Sequence, residues 1–156
     1  MLLAQITISL ILIFLLFYSL QQSKTKQKTR TMEQAFAAWL DDLNKNEKVD
    51  DSIKSFNFGL FETSTGFVMY LIGSKTFDVE DEDWATNVDF EPQQKYFQFG
   101  KEFSANNDWQ QLLKISEKLI LDYIASENFK TSIFTHAKGI TTGFDDGNLT
   151  ILKAND

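Results

Sequence analysis

The feature that most constrains this chain is an apolar run over residues 2–20, followed at once by Lys24, Lys26, Lys28 and Arg30. Residues 10–17 carry no polar side chain, and a run of this kind does not stay in water. As an α-helix its 19 residues extend about 28 Å, against a hydrocarbon core of about 30 Å. In lipid a single segment must satisfy its own backbone hydrogen bonds, so residues 1–20 are predicted to form a transmembrane helix. A cleaved signal peptide needs a basic residue ahead of the apolar core and a small-x-small site behind it. The sequence around Phe17, Tyr18, Ser19, Leu20 and Gln21 offers neither, and with no cysteine there is nothing to acylate. An uncleaved anchor is the expectation.

Charge sets its orientation. Four basic residues follow the run and none precede it, which predicts that the carboxy-terminal part faces the cytoplasm. The chain then divides into an anchor (residues 1–20), a basic polar linker (21–30) suited to anionic lipid headgroups, and an acidic soluble domain (31–156). The chain has 15 basic and 22 acidic residues. Only basic ones, four of them, lie before Thr31, so the domain holds 11 against 22, a net of −11. Such a domain is repelled by nucleic acid. The expected partners are membrane lipid, through the anchor, and a basic protein.

The domain is large enough for one core, and its phenylalanines say how that core is built. Nine of the chain's 15 fall between Phe56 and Phe103, a density that predicts a sheet cored with aromatics. Ahead of it, Thr31, Met32, Glu33 and Gln34 read as a capping box. Phe36, Trp39, Leu40 and Leu43 follow at helical spacing, predicting a helix that ends near Asn46. Phe56, Phe58 and Leu60 alternate with polar or small residues. The apolar run over 66–73 reads as a second strand, and the polar residues 62–65 between them suit an antiparallel hairpin. Tyr96, Phe97 and Phe99 predict a third strand. Asn107 or Asp108 then caps a long helix to about Asn128, with Trp109, Leu112, Leu113, Leu119, Ile120, Tyr123 and Ile124 on its apolar face. Residues 129–138 fit a short helix or a strand. Residues 139–144 and 149–152, joined through Asp145, Asp146, Gly147 and Asn148, predict a closing hairpin, because glycine tolerates the backbone that a tight turn needs. The expected fold is α+β: an amino-terminal transmembrane helix, a helix, an antiparallel sheet, a long helix and a carboxy-terminal β-hairpin.

Seven carboxylates crowd residues 78–91 without a basic residue among them: Asp78, Glu80, Asp81, Glu82, Asp83, Asp89 and Glu91. Read as a calcium loop from Asp78, the segment has Asp83 where the sharp turn needs glycine and Asp89 where a bidentate glutamate belongs. Trp84 inside this cluster supplies an apolar anchor surrounded by charge, which points to protein recognition. Asp78, Glu80, Asp81, Glu82, Asp83 and Trp84 are therefore the candidate contact surface, with Asp145 and Asp146 added from the hairpin turn. His136 is the one histidine and reads as structural; no nucleophile elbow, phosphate loop or metal-ligand spacing accompanies it. Trp39 and Trp109 read as core residues. No catalytic residue, metal site or cofactor is expected, and the chain is not expected to be an enzyme.

Residues 143–149 (GFDDGNL), together with 70–74 (YLIGS) and Asp83, Trp84 and Ala85, resemble a group of small acidic bacterial domains. These are similar to immunity proteins encoded beside polymorphic or contact-dependent toxins. The resemblance extends from Phe56 to Leu152 and implies a binding protein that occupies a toxin's active surface. The expected function is then a single-pass, inner-membrane-anchored module that binds a basic protein, such as a toxin that it neutralises. A structural or assembly component of a bacterial envelope complex is the alternative, followed by a divalent-metal-dependent hydrolase using the acidic segment.

Overall fold

The computed structural model describes residues 31–155. The expected anchor and the basic residues Lys24, Lys26, Lys28 and Arg30 lie outside the described residues. Among the described residues, no helix is long and apolar enough to cross a membrane.

The domain is α+β. Helix α1 (Met32–Asn46) begins and ends where the sequence places it and buries Phe36, Trp39, Leu40 and Leu43. Strands β1 (Ser55–Thr63) and β2 (Gly66–Ser74) form the expected antiparallel hairpin, tightened to the two residues Ser64 and Thr65. A 3₁₀ turn (Glu82–Thr86) interrupts the acidic segment. Strand β3 (Tyr96–Gln98) pairs antiparallel with β2, and short helix α2 (Lys101–Ala105) follows. Helix α3 (Trp109–Ile124) is capped by Asp108, whose carboxylate accepts from the Gln111 N–H while the Gln111 side chain accepts from the Asp108 N–H. It stops four residues short of the expected end, and a 3₁₀ turn (Glu127–Thr131) takes over, which settles the ambiguous stretch as a turn region that buries Phe129 and Phe134. Strands β4 (Gly139–Phe144) and β5 (Thr150–Ala154) close the chain as an antiparallel pair.

The sheet order is β3-β2-β1-β4-β5. One expectation is corrected here: the sheet is mixed, because β4 runs parallel to β1, with Phe56 beside Ile140 and Leu60 beside Phe144. Alternation identifies a strand but not its neighbour or its direction. A parallel partner needs a long connection, and here β2, β3, α2 and α3 all lie between the two strands in sequence.

Strand geometry sends alternate side chains to opposite faces. One face carries Phe56, Phe58 and Leu60 of β1, Phe67, Met69 and Leu71 of β2, Phe97 of β3 and Ile140 of β4; all are buried in one core cluster with residues of α1 and α3. Rings meet edge-on or tilted there: Phe36 with Phe97 at 5.4 Å, Phe56 with Phe134 at 4.9 Å, Trp39 with Phe58 at 6.2 Å. Such pairs add about 0.5–1.5 kcal/mol each beyond their buried area. Trp39 also donates its indole N–H to the Gln94 carbonyl at 2.8 Å, tying α1 to the approach to β3.

Candidate functional site

The opposite face of the sheet carries the site. There β1 presents Ser55, Asn57, Gly59 and Phe61, and β2 presents Val68, Tyr70, Ile72 and Ser74. One rung reads Tyr96, Tyr70, Gly59, Gly143 across four neighbouring strands. Gly59 has no side chain because Tyr70 lies across it; a Cβ there would sit 2.0 Å from the tyrosine ring. From that position the Tyr70 hydroxyl reaches the β4–β5 turn and donates to Asp145 Oδ1 at 2.6 Å. Burial raises the Tyr70 pKa well above the ordinary tyrosine value, and the hydrogen bond to Asp145 and its negative charge add to the rise.

The acidic segment folds back over the same face and is fastened to it. The Phe77 ring covers Gly139, where a Cβ would come within 2.1 Å of it, and Trp84 meets Phe77 nearly edge-on at 5.3 Å. The backbone of Phe90 bridges to Gly73, and Asp89 accepts from the Lys75 N–H. Between this clasp and the β4–β5 turn runs an open groove of about 660 Å³. Asn57, Tyr70 and Ile72 line its floor, Glu82, Asp83 and Val88 one side, and Asp145 and Leu149 the other. Glu82 spans toward the turn, both its carboxylate oxygens lying 3.3 Å from the Leu149 N–H.

Of the candidate contact residues, the structure thus brings Glu82, Asp83 and Asp145 to one groove. Asp146 lines a second cavity of about 490 Å³ with Glu62, Phe67, Trp109 and Phe144. Asp78, Glu80 and Asp81 are exposed and line neither. Two of them shape the chain locally: Asp78 accepts from the Glu80 N–H, and Asp81 caps the 3₁₀ turn by accepting from the Asp83 N–H.

Two tryptophans exchange their expected roles. Trp84 is 5% exposed, so it anchors the clasp rather than offering itself to a partner. Trp109 is 56% exposed; as the first residue of α3 it stands where the helical stripe begins, its ring edge-on to Phe144 at 6.2 Å.

Asn57, Phe61, Tyr70 and Tyr96 were not among the candidate site residues that the sequence offers, since a half-buried strand explains each of them. The signal that could have found them is glycine inside a strand, at Gly59 and Gly143, which marks close approach. Among the described residues, Lys95 is the one basic side chain lining the groove. Its ammonium lies 5.3 Å from the Tyr70 ring centre and 5.6 Å from that of Tyr96, and it pairs with Glu91 at 3.1 Å.

No group of three histidine, cysteine or carboxylate side chains is placed to hold a metal ion among the described residues. His136 is exposed, beside a cavity also lined by Asp50, Asp51 and Ser132. The arrangement suits recognition: carboxylates over aromatic faces favour a cation. Compared with protein-family models, curated proteins and solved structures, the chain matches none.

Proposed function

We propose that this chain is a protein-binding module, anchored in the bacterial inner membrane by its apolar run, whose acidic domain faces the cytoplasm and takes a basic protein as partner. Its role is that of an immunity protein that neutralises a basic toxin. The observation that supports this most is the groove itself: carboxylates from two distant parts of the chain, Glu82 and Asp83 on the clasp and Asp145 on the turn, line one concave surface. Scattered acids on a soluble domain serve solvation, whereas acids gathered over an aromatic floor complement a cationic partner. The anchor raises the local concentration of the module where a partner would meet the membrane.

The test is association of the full chain, reconstituted in lipid nanodiscs, with the basic product of a neighbouring gene over a salt series. The wild-type on-rate should fall steeply with ionic strength, and the E82Q/D83N/D145N variant should associate more slowly with a flatter salt slope. An on-rate and slope unchanged by the triple variant would overturn the reading.

A further inference from the structure

Across the β4–β5 turn from the groove, the helix-covered core ends in the cavity of about 490 Å³. The groove and this cavity are both lined by Phe61, Phe144, Asp145 and Gly147, so the turn is their shared wall. The cavity's lining is apolar inside and acidic outside. Leu60 and Phe67, both buried, belong to the core cluster. From Phe67 a row of rings leads outward: Phe67 meets Phe144 edge-on at 6.0 Å, and Phe144 meets Trp109 edge-on at 6.2 Å. Exposure rises along that row from 7% at Phe67 to 56% at Trp109, which lies outside the core cluster. A lone exposed apolar side chain is ordinary on a protein surface, but an exposed tryptophan that extends an apolar cavity is what interfaces use as an anchor.

The charge around the cavity says what enters it. Strand alternation puts Glu62 next in the series Phe56, Phe58 and Leu60 of β1, so an acid stands where that apolar series stops. Glu62, Asp145 and Asp146 are all exposed, and no basic side chain lines the cavity with them. None of the three forms an ion pair among the described residues. A second copy of this chain would bring its own excess of acids to that rim, and an anionic lipid surface would be repelled as well. A cationic segment is the occupant that the charges complement.

We propose that this cavity is an anchor point for the basic partner, receiving an apolar side chain flanked by lysine or arginine. The apolar side chain packs on Phe67, Phe144 and Trp109, and the flanking cations meet Glu62 and Asp146. This rests on the function proposed above and names the kind of segment that the partner presents. Rim charge speeds encounter, whereas the seated side chain slows release.

The experiment titrates the full chain, isotope-labelled in nanodiscs of zwitterionic lipid, with three acetylated and amidated tripeptides: Lys-Phe-Lys, Lys-Ser-Lys and Glu-Phe-Glu. The indole N–H resonance of Trp109 is followed, with those of the buried Trp39 and Trp84 as internal controls. Lys-Phe-Lys should shift the Trp109 signal saturably and leave the other two in place. Lys-Ser-Lys, which lacks the anchor, and Glu-Phe-Glu, which lacks the charge, should each bind several-fold more weakly. E62Q/D146N, two exposed positions whose replacement should leave the urea midpoint unchanged, should weaken Lys-Phe-Lys several-fold. Equal binding of either control peptide, or of Lys-Phe-Lys to E62Q/D146N, would overturn the proposal. A Trp109 signal that moves with protein concentration alone would overturn it in favour of a second copy. No saturable shift with any peptide would overturn it too, while the basic-partner reading would still stand or fall on the salt dependence of the E82Q/D83N/D145N variant.

Discussion

The same five strands build two unlike surfaces. On the helix-covered face, β1 contributes Phe56, Phe58 and Leu60, each at most 1% exposed and locked among rings from α1 and the 127–137 region. On the other face, one residue along, it contributes Ser55, Asn57 and Gly59, and what covers them is the acidic clasp and a tyrosine laid over a glycine. The first face is stabilised by apolar area and tight packing. The second is held by a few specific contacts that leave an open groove between them. Stability is thereby concentrated on one side of the sheet and the proposed recognition surface lies on the other, and substitutions on the two sides should differ in kind.

The largest effect should come from the packed face. Phe58→Ala removes a ring that meets Phe36, Trp39 and Phe134 and should lower unfolding free energy by about 3–5 kcal/mol in urea titrations. A loss below ~1 kcal/mol would mean that this face tolerates voids as the open face does. Next comes the clasp. Trp84→Ala should cost about 3 kcal/mol and expose the segment around the 3₁₀ turn to limited proteolysis. If the fold were destabilised without new cleavage there, Trp84 would serve the global core rather than the groove wall.

Tyr70→Phe should cost about 1 kcal/mol, for one hydrogen bond to a charged acceptor on a half-buried side chain. It also carries a pH signature. Because the folded pKa of Tyr70 lies above the unfolded value of about 10, its contribution is fully present below pH ~10 and is lost as pH rises through the folded value. Tyr70→Phe should therefore flatten the alkaline decline in stability. A decline of the same sign should remain from Tyr123, whose pKa burial also raises. The smallest expected change is at Ser116, whose buried hydroxyl finds no partner among the described residues. Ser116→Ala should be neutral or stabilising by up to ~1 kcal/mol, measured the same way. Any clear destabilisation would show that the hydroxyl has a partner in solution.

The elements were legible where periodicity and capping act locally. Helix α1, the β1–β2 hairpin, β3, the Asp108 cap and the closing hairpin all lie where spacing and turn residues place them, because 3.6- and 2-residue periods and turn chemistry are properties of a few adjacent residues. The early stop of α3 and the turn region after it were harder to place, since Ser126 and Phe129 satisfy the helix end through contacts with Tyr123 that spacing does not reveal.

For the site, the chain by itself determined the charge, the clustering of carboxylates in two short segments and the aromatic content of the strands. Which of those carboxylates share a surface was decided only by tertiary structure, through the clasp that Phe77 and Trp84 close over Gly139 and the turn that Tyr70 reaches across Gly59. Side-chain direction at the start of a helix or inside a loop is likewise set by what packs against it. This is why Trp84 is buried and Trp109 exposed, although their local sequence contexts suggest the reverse. Burial is a relation between distant segments, and local pattern records only the tendency to seek it.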